Sequence, residues 1–445
     1  MKRSFVASAL ILIYCSHGGK AWALTANPIL SRGKPVFVSG GNAAYLVDNK
    51  FGSGAKWSAG NSSWIAVKLA AGPTKVFINW NDPVYAWSNQ LSPASCPNNN
   101  PLIADYDLLT SANSTNGSDG DWTVAVSITG NIVTTRGHLI DFAGKSWVKM
   151  SVKKGGGSID EFEVFDASLG AEDTWFFVGT SISANTYKSA PPAKNFADLV
   201  TQAHPGFNPA MIRGGIGCIT TNDMVRNLSN YLKMAGNAHF WAIEQGTNDA
   251  WGGTNANVAL FTKNLQIVID SCKARGIQPI IARMLATGPG AGWQVHQDYE
   301  KAIDELAKKN NLIPGPDLFA WFLAHGGDLN SDGVHPNAAG DASIQRLWAE
   351  KMDSIYKVAT PILRSGTLPA QTPGLQVRSD LSGGGIRAMA AADGIFQWFD
   401  PDGTLLGSEK LVANRTRSLR CRPGMVFCKF TLRDKAVETA RLLVE

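Results

Sequence analysis

The sequence is short of charge, of cysteine and of long apolar runs. Of its 445 residues, 17% are charged and only 6 are Cys. No Cys-x-x-Cys pair and no His/Cys cluster occurs, so a zinc site is not expected. The 41 Lys and Arg and the 36 Asp and Glu leave a scattered net charge of +5, which does not favour nucleic-acid binding. The apolar fraction of 44% is enough for several cores, which excludes a disordered or fibrous chain.

The apolar run near the N-terminus is short as well. Residues 5–15 follow a basic start, and residues 21–23 form an A-x-A cleavage signal. The run falls below the roughly 20 apolar residues that span a bilayer, and no later segment is apolar enough. We therefore expect residues 1–23 to be an export signal, with no membrane span and with the protein secreted to the extracellular space or the cell surface. Lipid attachment at Cys15 is disfavoured, because a Tyr precedes it where a small residue is usual.

The cysteines beyond that segment number five, so at least one stays free. Cys421 and Cys428 flank an Arg-Pro-Gly turn between two apolar stretches. A disulfide across this hairpin is expected in an oxidising compartment.

The residue pattern changes along the chain and predicts a multidomain protein. Residues 24–168 alternate short apolar runs with Gly, Asn, Ser and Pro turns, which is typical of a β-sandwich. In residues 169–358, apolar runs alternate with helical stretches, which predicts a parallel sheet with helices on both faces. Residues 359–374 have the Pro, Gly and Ser content of a linker. Residues 375–445 again show short alternating runs and predict a small β-domain.

Specific elements follow for the central region. The expected strands are Trp175–Val178, His239–Glu244, Gln278–Met284 and Leu312–Pro314. The expected helices are Asp223–Met234, Asn255–Arg275, Val295–Lys309 and Asn337–Tyr356.

Polar segments lie beside these strands, and active sites of open α/β sheets form at the carboxyl ends of strands. The segments are Gly179–Ser183, Arg213–Cys218, Gly246–Asp249 and Asp332–Asn337. A serine hydrolase needs a nucleophile, a base, an acid that orients the base, and oxyanion donors. Ser181, His335, Asp332, Asn248 and the glycine-rich turn could supply them. Each segment alone fits an ordinary turn, but the order and placement of all four favour a hydrolase.

The same segments resemble the sequence blocks of the SGNH/GDSL hydrolases, which carry Ser, Gly, Asn and His in that order. The third and fourth blocks, Gly246-Thr247-Asn248-Asp249 and Asp332-Gly333-Val334-His335-Pro336, are the closest matches. The resemblance covers roughly residues 174–356. It implies a flavodoxin-like α/β/α hydrolase domain with a parallel sheet.

That resemblance also implies residue roles. Ser181 would be the nucleophile, His335 the general base and Asp332 the orienting acid. The oxyanion would be held by the backbone N–H of Ser181, by the backbone N–H of Gly217, with Cys218 as the alternative register, and by the Asn248 side chain. The chain departs from the family at position 180, where Thr replaces the usual Asp. No metal or cofactor would be needed for catalysis.

The first region resembles galactose-binding-like, discoidin-type jelly rolls. The residues that carry this resemblance are Gly33–Val36, Ala44–Asp48, Trp57–Gly60, Ser63–Leu69 and Ile159–Val164. Such modules often bind glycans, and some hold a structural calcium ion. The resemblance therefore allows for a glycan ligand and for a structural calcium ion in this region. Tyr85 and Trp87, in a long polar loop, are candidates for stacking on a sugar. The last region resembles sorting or surface-attachment domains of secreted polysaccharide-degrading enzymes, with a simple accessory β-sandwich as the alternative.

Together these features predict a secreted esterase that removes acetyl or other short acyl groups from a polysaccharide, such as plant cell-wall xylan, through an acyl-serine. The acetylated polysaccharide would be its partner. Trp251, Trp293 and Arg283 are candidate substrate contacts, and a surface salt bridge is the alternative for Arg283. A peptidoglycan O-acetylesterase and a general lipase or arylesterase are alternative enzymes. A glycan-binding surface protein without catalysis is the alternative of another class. The oligomeric state and the acyl group are not predicted.

Overall fold

A computed structural model describes residues 24–52, 54, 56–83, 90–97 and 101–358. In the C-terminal stretch it describes residues 375–380, 385–390, 393–399, 405–413, 415–420, 424–432 and 437–444. The expected export signal, the linker, Tyr85, Trp87 and Cys421 lie outside the described residues.

Antiparallel strands form the first region. They are β1 (Val36–Val38), β2 (Trp57–Ala59), β3 (Trp64–Lys68), β4 (Lys75–Asn81), β5 (Ile103–Ser111), β6 (Thr123–Ile128), β7 (Thr135–Asp141), β8 (Trp147–Gly155), β9 (Gly157–Ile159) and β10 (Phe162–Asp166). One sheet has the order β1-β3-β8-β5-β6, a second has the order β10-β4-β7, and β2 pairs with β9. Side chains of both larger sheets, Ile65 and Val148 from one and Ile78 and Val164 from the other, meet in one buried cluster. This region is therefore β-rich, with its core between two sheets. We refer to it as the N-terminal β-domain.

A parallel sheet forms the centre of the second region. Its strands are β11 (Thr174–Gly179), β12 (Ala210–Arg213), β13 (Phe240–Glu244), β14 (Gln278–Arg283) and β15 (Pro314–Asp317). The order is β12-β11-β13-β14-β15, and every pairing is parallel. The chain therefore winds in opposite directions from the β11/β13 junction. In open α/β sheets the crevice at such a switch point binds ligands.

Helices cover both faces of this sheet. They are α1 (Ser181–Ala184), α2 (Phe196–Ala203), α3 (Thr221–Arg226), α4 (Leu228–Ala235), α5 (Val258–Lys273), α6 (Gln297–Lys309), α7 (Leu318–Ala324) and α8 (Ala338–Val358). Side chains alternate along β11, so that Trp175 and Phe177 enter one buried cluster and Phe176 and Val178 enter the other. The strand is apolar throughout because both of its faces are covered.

The structure confirms the parallel sheet and corrects several expected elements. Strand β12 was not predicted, because four residues are too few for a periodic signal. The helix expected over Asp223–Met234 is two helices, α3 and α4, which meet at Asn227. The strand expected at Leu312–Pro314 lies slightly later, at Pro314–Asp317. Helices α2 and α7 were not predicted either.

Strand β4 has two buried faces, and this joins the first two regions. Val76 and Ile78 belong to the core of the N-terminal β-domain, whereas Phe77 belongs to a cluster made mostly of central-domain residues. On the same face as Phe77, the Asn79 side chain donates to the Met211 carbonyl of β12. The sheet β10-β4-β7 thus lies between two cores, and the N-terminal β-domain packs against the edge strand of the central sheet.

The C-terminal stretch is also built from antiparallel strands. They are β16 (Leu375–Asp380), β17 (Gly385–Ala390), β18 (Gly394–Phe399), β19 (Leu405–Leu411), β20 (Thr416–Arg420), β21 (Gly424–Leu432) and β22 (Val437–Val444). They form sheets of order β16-β17-β20 and β19-β18-β21-β22. Among the described residues of the whole chain, no helix is long and apolar enough to cross a membrane.

Candidate active site

Ser181 lies where β11 passes into α1, at the carboxyl edge of the sheet. The side chain of Thr180, in extended conformation, caps the helix by accepting from the Ile182 N–H. Gly179 ends the strand, and a Cβ there would lie 2.1 Å from the Ser183 Oγ and 2.4 Å from the Glu244 carbonyl oxygen. Only glycine therefore allows the end of β11 to lie this close to Ser183 and to the end of β13, and Ser181 itself is 7% exposed.

A hydrogen-bonded chain links Ser181 to the segment before α8. The Ser181 Oγ lies 2.9 Å from the His335 Nε2, and the His335 Nδ1 lies 2.7 Å from the Asp332 Oδ2. The order hydroxyl, imidazole, carboxylate is the arrangement that activates a serine as a nucleophile. The structure thus brings together three residues that are 154 and three positions apart in the sequence.

Asp332 is held as an acceptor. Its Oδ1 accepts from the backbone N–H groups of Val334 and His335, at 2.9 and 3.0 Å. Partial desolvation opposes ionisation, but the hydrogen bonds from Val334 and His335 outweigh it and hold the pKa of the carboxyl below its ordinary value. The carboxylate therefore stays ionised at neutral pH and orients the imidazole through Nδ1.

The glycine-rich turn lies against the helix of Ser181. At Gly215 a Cβ would lie 2.3 Å from the Ala184 nitrogen, so the loop approaches the α1 backbone more closely than another residue permits. The Ile216 N–H donates to the Gly179 carbonyl at 3.0 Å. Gly217 and Cys218 follow in a turn, and Cys218 has a φ of 63°. The backbone of this turn therefore borders the same strand end as Ser181.

Asn248 braces that turn from the neighbouring strand loop. Its Nδ2 donates to the Ile219 carbonyl at 2.8 Å. An amide nitrogen carries two hydrogens, so one donor remains for another acceptor. The next residue, Asp249, accepts from the backbone and hydroxyl of Thr221, and burial raises the pKa of its carboxyl to about 6. Asn248 is therefore positioned by contacts to the turn and by its neighbour.

A second serine on α1 enters a different network, which sequence reasoning missed. The Ser183 Oγ donates to the Glu244 Oε2 at 2.6 Å. The other oxygen of Glu244 accepts from the Tyr187 hydroxyl at 2.7 Å and from the Trp348 indole at 2.5 Å. Burial raises the pKa of Glu244 despite these three hydrogen bonds. The sequence signal that could have found this network is the Glu that ends the otherwise apolar strand β13.

A disulfide joins Cys96, in the N-terminal β-domain, to Cys218. Cys421, one half of the expected Cys421–Cys428 pair, lies outside the described residues, and Cys272 is free and buried. No local spacing signals a pair 122 residues apart, so sequence reasoning could not find it.

Two of the expected substrate contacts are adjacent. The ring centroids of Trp251 and Trp293 are 5.3 Å apart, and Trp251 is 57% exposed. Trp251 follows Asn248 by three residues, and the segment before Trp293 is tied to the Asp332 turn by the hydrogen bond from the Gly288 N–H to the Gly333 carbonyl. The aromatic pair therefore lies on loops that border both sides of the site.

Arg283, the third expected substrate contact, forms ion pairs. Its guanidinium contacts the carboxylates of Asp304 and Asp317, in the ion-pair arrangement that the sequence left as the alternative. Within the described ranges, no group of three or more His, Cys, Asp and Glu is arranged to hold a metal ion.

The fold and the hydrogen-bonded series Ser181–His335–Asp332 are those of a serine-dependent hydrolase. Comparison with known proteins supports this class. Residues 177–342 match the GDSL-like lipase/acylhydrolase family. The chain thus carries a GDSL/SGNH lipase-acylhydrolase domain, and the protein is a carboxylic ester hydrolase. No curated protein sequence matches the chain.

Solved structures are similar to parts of the chain. A lipase/acylhydrolase from Enterococcus faecalis is 24% identical, with a TM-score of 0.35, over 41% of this chain and 95% of its own. The acetylxylan esterase Axe2 from Geobacillus stearothermophilus is 16% identical, with a TM-score of 0.34, over 40% of this chain and 93% of its own. The protein YxiM from Bacillus subtilis is 13% identical, with a TM-score of 0.40, over 72% of this chain and 98% of its own.

Proposed function

We propose that the protein is an exported serine esterase that removes acetyl or other short acyl groups from a polysaccharide, such as plant cell-wall xylan. The observation that carries the esterase mechanism is the chain from Ser181 through His335 to Asp332. The observation that favours a carbohydrate is the contact of the exposed Trp251 with Trp293, on the loop that carries Asn248.

In the acylation step, the Ser181 Oγ attacks the ester carbonyl carbon while the His335 Nε2 takes the hydroxyl proton. The carbonyl π-electrons move to oxygen, and the oxyanion accepts hydrogen bonds from the backbone N–H groups of Ser181 and Gly217 and from the second N–H of the Asn248 amide. Each such donor contributes about 2.7–4 kcal/mol to lowering the barrier. Collapse of this intermediate breaks the ester C–O bond, and the sugar alcohol leaves with the proton from Nε2.

In the deacylation step, water gives a proton to the His335 Nε2 and attacks the acyl-serine carbonyl. The second oxyanion collapses, Ser181 takes the proton back, and the carboxylic acid is released. Asp332 keeps the tautomer in which Nδ1 is protonated, so that Nε2 can act as the base in both steps. No step needs a metal or an organic cofactor.

The aromatic pair supports a sugar as the alcohol portion of the substrate. Sugar rings stack on exposed indoles through their C–H faces, and Trp251 is exposed although large aromatic side chains are usually buried. The Trp293 ring contacts the Trp251 ring at an interplanar angle of 54°. A platform of this kind, open to solvent, suits a polymer that enters from the surface.

The disulfide supports export. Disulfides persist in oxidising compartments and are rare in the cytosol. The Cys96–Cys218 bond therefore agrees with the export signal proposed for residues 1–23.

The test measures acetate released from acetylated xylan and from O-acetylated peptidoglycan, beside p-nitrophenyl esters of increasing acyl length. We expect acetate from xylan, highest activity on the shortest esters, and no release by Ser181→Ala. A Trp251→Ala variant should raise KM for acetylated xylan several-fold and leave p-nitrophenyl acetate unchanged.

Other outcomes would redirect the assignment. Release from peptidoglycan alone would identify the glycan as a bacterial one, and activity on long-chain esters alone would identify a lipase. Failure of a fluorophosphonate to label Ser181 in folded protein would favour the alternative of a glycan-binding protein without catalysis.

A further inference from the structure

The N-terminal β-domain contacts the strand that leads into the candidate active site. Asp160 accepts two hydrogen bonds from the Arg213 guanidinium, at 2.7 and 2.9 Å, and neither side chain is exposed to solvent. The Phe51 ring lies 4.1 Å from the same guanidinium. Arg213 is the last residue of β12 and directly precedes the glycine-rich turn. The N-terminal β-domain therefore fixes the strand from which that turn departs.

The turn itself has anchors on both sides. Within the central domain, Gly215 packs against the α1 backbone, and the Ile219 carbonyl accepts from Asn248. Between these points lie Gly217 and Cys218. Cys218 is bonded to Cys96 of the N-terminal β-domain, across a Cα–Cα distance of 6.2 Å.

The backbone at Cys218 is one that needs support. Its φ of 63° lies in the left-handed region, which disfavours every residue with a Cβ. Such a conformation persists only when the surrounding structure imposes it. The segment that carries Cys96 is itself packed, since Leu91 is 5% exposed and belongs to the same buried cluster as Ile216 and Ile219.

We propose that Cys96 is a positioning residue: through its bond to Cys218, the N-terminal β-domain fixes the Gly217 backbone N–H for the oxyanion. The inference rests on the proposed function, in which Gly217 is a donor. An oxyanion donor is effective only within about 2.7–3.1 Å of the developing charge, so a small displacement of the turn removes most of its effect. The N-terminal β-domain is then part of the catalytic unit and not a detachable binding module.

The test compares two double variants of the full chain, Cys96→Ser/Cys218→Ser and Cys96→Ser/Cys218→Gly. Both lack the disulfide, but glycine adopts a positive φ without a Cβ penalty, whereas serine does not. The measurements are kcat and KM for p-nitrophenyl acetate, the rate of fluorophosphonate reaction at Ser181, and the folded fraction by circular dichroism. Cys272→Ser, which changes the free cysteine, controls for loss of a cysteine elsewhere.

We expect the serine variant to lose about 10- to 100-fold in kcat, with KM within about threefold of wild type and a parallel loss in the fluorophosphonate rate. The kcat of the glycine variant should be at least about fivefold higher than that of the serine variant. Cys272→Ser should keep the kcat of the folded protein.

Two results would overturn the inference while leaving the esterase intact. One is a serine variant whose kcat, per folded molecule, stays within about twofold of wild type. The other is a glycine variant no faster than the serine variant, which would mean that the backbone conformation that the disulfide imposes at residue 218 does not set the rate. A wild type that neither cleaves the ester nor reacts with the fluorophosphonate would remove the proposed function itself, and the inference with it.

Discussion

Two serines, two residues apart on the same short helix, enter networks of opposite character. Ser181 meets a histidine whose side chain is 22% exposed and whose partner, Asp332, is half exposed. Ser183 meets Glu244, which is buried with Tyr187 and Trp348, and Ser183 itself has no exposure. The two networks share a helix and a strand edge but differ in access to solvent.

The difference explains why we propose Ser181, and not Ser183, as the nucleophile. A substrate can approach Ser181, and the proton from its hydroxyl can pass to an imidazole. Ser183 has no room for a substrate, and its acceptor is a carboxyl whose pKa burial raises. Residue type alone does not decide the role. Position relative to the end of β11 decides it.

Replacing each serine in turn gives the largest expected contrast. Ser181→Ala should reduce kcat by at least about 10⁴-fold with little change in stability, because the nucleophile is lost. Ser183→Ala should keep kcat within about threefold and lower the free energy of unfolding by about 1–3 kcal/mol, because a buried carboxyl oxygen loses its donor. Ester hydrolysis and urea unfolding of both variants provide the measurements. Equal losses of kcat in both variants would contradict the assignment of separate roles.

Replacing Asp332 should have the next largest effect. In Asp332→Asn, an amide placed against the His335 Nδ1 favours the tautomer protonated at Nε2, which cannot accept the Ser181 proton. We expect kcat to fall on the order of 10²- to 10⁴-fold. Because the pKa of Asp332 is held below its ordinary 3.8, protonation of Asp332 itself should add no inflection to the wild-type pH–rate profile above about pH 5. A pH–rate profile of the wild type checks this, and an inflection in that range that is absent from Asp332→Asn would argue against an ionised Asp332.

Neutralising Glu244 should have the smallest effect, and one that depends on pH. A carboxyl with a raised pKa favours the folded state below its ordinary value of 4.5, and that contribution is lost as pH rises through the folded-state pKa. Glu244→Gln removes this titration and can still pair with Tyr187 and Ser183. The variant should therefore gain stability relative to wild type as pH rises, by at most about 1.4 kcal/mol per pH unit. Urea unfolding at about pH 5 and pH 8 measures the trend. A free energy of unfolding of the variant that falls relative to wild type as pH rises would refute it.

Much of the fold could be predicted from local patterns of apolar and polar residues. Helices α5, α6 and α8 were predicted within a few residues because their apolar spacing extends over several turns. Strand β12 and helix α2 escaped prediction because they are short and because tertiary packing, not periodicity, stabilises them. A β-sandwich was predicted over residues 24–168, but the second buried face of β4 was not, since a run such as Lys75–Asn81 does not reveal what covers it.

The sequence by itself determined which residues we propose for catalysis, because Ser181, Asn248, Asp332 and His335 lie in short segments whose order and strand-end placement are local properties. Only the tertiary structure decided that Ser183 pairs with Glu244, that the carboxyl of Glu244 is buried, and that Cys96 pairs with Cys218. The physical reason is that hydrogen bonds, burial and disulfides depend on distances between residues more than a hundred positions apart, and chain topology sets those distances.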